Sequence, residues 1–91
     1  MKYCVLLKAV TATGAGGALV LGCANKVFQV TGTFVGTVAF EGSLDGTNYV
    51  SLATATAPGK YGNQEPWYWV RANVTAYTSG SITVVVGEGP L

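Results

Sequence analysis

The sequence predicts an all-β protein, a small antiparallel β-sandwich of about six to seven strands, on three observations. β-Branched and aromatic residues are abundant, and the 13 glycines are scattered without a period. Apolar residues alternate with small or polar ones at a spacing of two, as a strand with one buried face requires. No window of helical length keeps an apolar period of 3.6, so no helix longer than a turn is expected. The 91 residues make one domain, residues 1–91. A domain of this size buries only about 60–65% of its unfolded surface, and such chains commonly gain stability from disulfides, metals or association.

The first strand is placed at residues 2–11 and the second at 18–21, joined through Thr11-Ala12-Thr13-Gly14-Ala15-Gly16-Gly17, which reads as strand end plus flexible turn. A targeting reading competes, because Val20-Leu21-Gly22-Cys23 has the form of a lipobox. A signal peptide needs an uninterrupted apolar core of about 7–15 residues. Lys8 cuts the first apolar run, and the second holds only five residues, 18–22, before Cys23. Two strands are the better reading, and the chain is expected to be used whole, without secretion. The stretch is too short for a membrane span. On neighbouring strands, Cys4 and Cys23 are expected to be reduced and to pack as small apolar groups. A disulfide between them requires that they lie in register across the sheet.

The third strand, residues 26–41, is too long to run straight, and Thr31-Gly32-Thr33 is expected to bend or split it, giving a seventh strand. Its inward face is read as Phe34, Gly36, Val38 and Phe40. Asp45-Gly46 is a turn signal: Asp45 bonds the nearby backbone and Gly46 supplies a positive φ. The next strand, 48–56, is read with Val50 and Leu52 facing in. Residues 57–66 form the longest irregular segment and the expected mobile or partner-contacting loop. In the strand at 67–77, Tyr68, Val70, Ala72, Val74 and Ala76 are read as inward. Thr78-Ser79-Gly80-Ser81 closes a hairpin into a last strand, 81–87, with Ile82, Val84 and Val86 inward.

The chemistry available is narrow. The chain has no histidine, two cysteines, and five basic against four acidic residues. Zinc and its relatives favour Cys and His ligands, so no metal or other cofactor is expected. Without a histidine a catalytic thiol lacks its usual base. Basic residues are not clustered, so the footprint of a nucleic-acid binder is missing, and no membrane partner is expected. With 49% apolar residues and a formal charge of +1, association with other protein surfaces is favoured.

Glu41 and Asp45 are the one pair of neighbouring carboxylates, but they flank a turn rather than a cleft, and glycosidase chemistry needs two acids facing each other. Calcium at Asp45 and Asn48 would need about six to eight oxygens, and Asp45-Gly46-Thr47-Asn48 supplies two side-chain acceptors plus carbonyls. Gly14-Ala15-Gly16-Gly17 is followed by no Lys-Ser/Thr and opens no helix, so it does not read as a phosphate loop. No enzyme is expected.

The aromatic stretch Pro66-Trp67-Tyr68-Trp69-Val70-Arg71 is the candidate binding surface. Alternation puts Trp67, Trp69, Arg71 and Tyr77 on one face. Exposed, they form an aromatic platform that stacks on sugar rings, or a hot-spot patch with cation–π support. Covered, they pack on a second sheet, a loop or a neighbouring subunit. Lys60 and Tyr61, in the segment 59–65, join the candidate interface, together with the N-terminal strand.

Four segments, AVTATGAG (9–16), FQVTGTFVGTV (28–38), FEGSLDGTNYV (40–50) and WVRANVTAYTSGSITV (69–84), resemble small β-sandwich proteins encoded among the virion structural genes of tailed bacteriophages. The resemblance covers nearly the whole chain. It departs between Leu52 and Trp67, a segment shorter than is usual for the module. Such modules are similar to capsid decoration (cement) proteins, and related domains occur in tail and fibre proteins. The resemblance therefore implies a virion protein on the capsid surface, made in the host cytoplasm. Its partners would be the major capsid protein and further copies of itself, as a trimer or another small oligomer. A carbohydrate- or receptor-binding tail module is the alternative. No catalytic residue is implied.

Overall fold

Alternating β-branched residues interrupted by glycines give nine strands among the described residues. The computed structural model describes residues 2–20, 25–65 and 67–88. Among them run β1 (Lys2–Val10), β2 (Gly14–Ala15), β3 (Leu19–Val20), β4 (Lys26–Thr31), β5 (Phe34–Ser43), β6 (Val50–Ala55), β7 (Gly59–Asn63), β8 (Trp69–Gly80) and β9 (Ile82–Glu88). No helix occurs among the described residues. All pairings are antiparallel: a back sheet in the order β1-β9-β4-β7, and a front sheet in the order β2-β8-β5-β6 with β3 also on β8. The predicted β-sandwich is what the chain adopts.

The inner faces supply the core. Leu6, Leu7, Phe28, Val30, Ile82, Val84 and Val86 come from the back sheet, and Val38, Phe40, Ala55, Val70, Ala72 and Val74 from the front. Phe28 and Phe40 stack across the layer with ring centroids 4.7 Å apart. Each is fully buried, worth about 1.5–3 kcal/mol by removal from water.

The long third segment splits at Gly32 (φ 109°) into β4 and β5, as expected. The halves, however, enter different sheets. The turn at 78–81 behaves in the same way: β8 is in the front sheet and β9 in the back, so the expected hairpin is a sheet-to-sheet corner. The two corners pack together, with Ser81 N–H donating to the Thr33 carbonyl at 3.0 Å. A Cβ on Gly32 would lie 2.3 Å from the Ser81 oxygen, and one on Gly80 (φ 93°) 2.0 Å from the Thr33 oxygen. Both positions require glycine.

Other expectations are corrected. The first two strands do not neighbour each other: β1 pairs with β9 in the back sheet and β3 with β8 in the front. Residues 14 and 15 are not free turn but the short strand β2, paired with Val74 and Asn73. Cys4 is half-buried against the core; Cys23 lies outside the described residues. The segment read as a loop at 57–66 contains β7, which closes one edge of the back sheet on β4.

Bulges move side chains between faces. Glu41 pairs with Ser51 but Phe40 with Ala53, so Leu52 is an extra residue in β6, and Val50, read as inward, is exposed. In β8, Val38 pairs with Val74 but Thr37 with Ala76, leaving Thr75 unpaired. An extra residue inverts the alternation beyond it. Ala76 is therefore exposed, while Tyr77, read as outward, packs against the core. Tyr68, also read as inward, precedes the strand and is exposed.

Candidate surface site on the front sheet

The outer face of the front sheet is laid out by register. Trp69 pairs with Ser43 on one side and Val20 on the other; Arg71 pairs with Glu41, and Asn73 with Ala39. These residues alternate with the buried Val70, Ala72 and Val74, so they point away from the core. Arg71 Nε donates to Glu41 Oε1 at 2.7 Å, and Asn73 Nδ2 donates to Glu41 Oε2 at 3.3 Å. The guanidinium carbon of Arg71 lies 3.9 Å from the Tyr49 ring centroid, a cation–π geometry. Trp69 meets Tyr68 edge to face at 5.8 Å. Glu41, the last residue of the third strand as read from the sequence, lies within β5 and anchors this cluster.

The loop from Ser43 to Asn48 holds the upper rim. Asp45 Oδ1 accepts from the Ser43 hydroxyl and from the backbone N–H groups of Thr47 and Asn48, each at 2.8 Å. Its Oδ2 accepts from Asn48 Nδ2 at 3.0 Å. The Asn48 and Thr47 amide bonds, then the Asn48 and Ser43 side chains, hold the exposed Asp45 carboxyl well below the usual carboxylate range. Both oxygens serve the turn, as Asp45-Gly46 implies. Gly46 (φ 76°) lies under the Trp69 indole: a Cβ there would come 3.0 Å from the ring. The turn and the tryptophan therefore share one geometry.

The six residues proposed for an interface do not form one patch. Trp69 and Arg71 are on the outer face of the front sheet. Lys60 is exposed on the outer face of the back sheet, opposite Gln29. Trp67, Tyr77 and Tyr61 pack against the core. Trp67 does not share a face with Trp69. It covers buried Gly42, where a Cβ would approach its ring to 2.8 Å, and its Nε1 donates to Glu65 Oε1 at 2.9 Å. That bond, and one from Asn63 Nδ2, keep the exposed Glu65 carboxyl below its ordinary value. Buried Lys26 completes this end of the sandwich, donating to Asn63 Oδ1 at 3.3 Å and to the Glu65 carbonyl. Tyr61 lies 5.2 Å from Phe40 and donates its hydroxyl to the Ala57 carbonyl.

Alternation places Asn73 on the outward face with Trp69 and Arg71, but sequence reasoning missed Tyr49 and Glu41 as parts of the patch. Alternation does place Glu41 on the outer face of its strand, but its partner depends on the register of two strands 30 residues apart. A shallow groove of about 530 Å³ runs along residues 6–16; Lys8 is the one ionisable side chain in that segment. Among the described residues no group of three or more Cys, Asp or Glu is arranged to hold a metal ion, and no helix is long and apolar enough to cross a membrane.

No protein family and no curated protein sequence matches the chain. Among solved structures it is similar to the SPBc2 prophage-derived protein YomS, with a TM-score of 0.71 at 13% identity over 93% of this chain and 89% of that one. What the two proteins share is the β-sandwich fold.

Proposed function

We propose that this chain is a non-enzymatic virion structural protein of a tailed bacteriophage, a capsid decoration protein that binds and stabilises the head lattice. The observation that carries this reading is the likeness, over nearly the full chain, to a prophage-derived β-sandwich. An outward patch of Trp69, Arg71 and Tyr49, preset by Glu41 and the Asp45 turn, supports it. Arg and aromatic residues held rigidly at a surface are the usual anchors of protein interfaces. The mechanism is mass action: a protein that binds the assembled lattice and not its separated subunits stabilises the lattice. Attachment through several copies adds avidity.

The test is titration of purified protein against expanded, undecorated heads. Saturable binding that weakens at least tenfold in Trp69→Ala and Arg71→Ala supports the reading. Failure of the wild type to bind overturns it. Exposed Tyr68, edge to face with the half-buried Trp69, favours one alternative, a glycan-binding tail module, and quenching of tryptophan emission by host glycans distinguishes that case.

A further inference from the structure

The back sheet presents an outer face that no element among the described residues covers. Its first row, read across the strands, is Tyr3, Gly87, Val27 and Gly62; the second is Val5, Val85, Gln29 and Lys60. Tyr3 is 73% exposed, Val5 51% and Val27 47%. In the first row large side chains alternate with glycines, so projection, gap, projection and gap follow in order. Lys60 is the only charged residue in either row.

We infer that this face is the interface of a two-fold symmetric dimer of the chain. A two-fold axis parallel to the strands, lying in the plane of contact, reverses the strand order from β1-β9-β4-β7 to β7-β4-β9-β1. Tyr3 of one copy then stands over Gly62 of the other, and Val27 over Gly87. Each projection meets a gap, and both halves of the contact are the same surface, as an isologous interface requires. In the second row Val5 meets Lys60, whose aliphatic stem covers it, and Val85 meets Gln29. No like charges oppose each other.

The footprint follows from the sheet. Four strands at about 4.8 Å and five or six residues at about 3.4 Å give roughly 400 Å² before side-chain relief. That is about half of the roughly 800 Å² that a standard specific interface buries on each partner, the size of a weak, transient contact. The dimer is accordingly expected to exchange at micromolar to tens of micromolar concentration. The pairing leaves the Trp69–Arg71 face free and does not depend on what that face binds.

Sedimentation of the purified chain across a concentration series tests this. The expected result is a monomer–dimer equilibrium that Gly62→Leu and Val27→Lys each shift at least tenfold towards monomer. Gly62 is suited to the purpose because a Cβ there meets nothing within 4 Å in its own chain. Its variant should fold with an unchanged or slightly raised melting temperature, which separates loss of association from loss of fold. A wild-type chain that stays monomeric to millimolar concentration, or that assembles as a trimer, overturns the inference. So does a dimer that Gly62→Leu leaves intact.

Discussion

Arg71 and Glu41 sit directly opposite each other in the register of β8 and β5, and Arg71 Nε meets Glu41 Oε1 at 2.7 Å. The contact fixes the guanidinium over Tyr49 and makes one rigid surface of groups contributed by three separate segments. The side chains are 29% (Arg71) and 15% (Glu41) exposed, so water screens the pair only in part. Glu41→Gln is expected to cost about 1 kcal/mol, a fall of about 4–8 °C in melting temperature for a domain of this size. Calorimetry of the variant checks it. An unchanged transition would mean that solvent screening cancels the pair.

Asp45 ties stability to pH. Its folded carboxyl is held below its unfolded value by the amides of Asn48 and Thr47. A depressed folded value contributes stability that is complete above the unfolded value, about 4, and is lost as pH falls through the folded one. Urea midpoints of the wild type should therefore drop steadily below pH 4, and those of Asp45→Asn should drop less. Glu65, lowered through Trp67 Nε1 and Asn63, should account for part of the slope that remains. Parallel curves for wild type and Asp45→Asn would refute this assignment.

Gly46 couples the turn to the aromatic patch. Gly46→Ala forces a side chain into a left-handed conformation, at about 1–2 kcal/mol, and pushes a methyl group against the Trp69 ring. Loss of stability should be accompanied by a shift in tryptophan emission. Destabilisation with unaltered emission would show that the indole does not rest on the turn.

At the paired corners, Gly80→Ala is expected to cost more than about 3 kcal/mol, since the φ of 93° and the Thr33 carbonyl both exclude a Cβ. Gly17→Ala is the control: nothing lies within 4 Å of its Cβ position, and it should be neutral or stabilising by about 0.4–1 kcal/mol. Chemical denaturation of the two variants reads the contrast directly. Equal stability would place the strain elsewhere.

Local pattern was enough to recover much of this molecule. The strand segments other than β2 and β7, the inward Val38, Phe40, Val70, Ala72, Val74, Ile82, Val84 and Val86, the break at Gly32 and the Asp45-Gly46 turn all follow from neighbours along the chain. Each depends on alternation or on a glycine conformation within a few residues. The candidate site was legible only as Trp69 and Arg71, because whether Trp67 and Tyr77 share their face is not a local property.

By itself, then, the sequence determined an all-β sandwich, the residues that fill it and the chemistry of its turns. The tertiary structure decided which sheet each strand joins, and it turned one apparent hairpin and one apparent bend into corners between sheets. It also decided the bulges that send Tyr77 inward and Val50 outward, and the register that delivers Glu41 to Arg71. The physical reason is that side-chain alternation is encoded residue by residue. Strand partners, and the single extra residue that inverts a face, are set by which distant segments pair and pack.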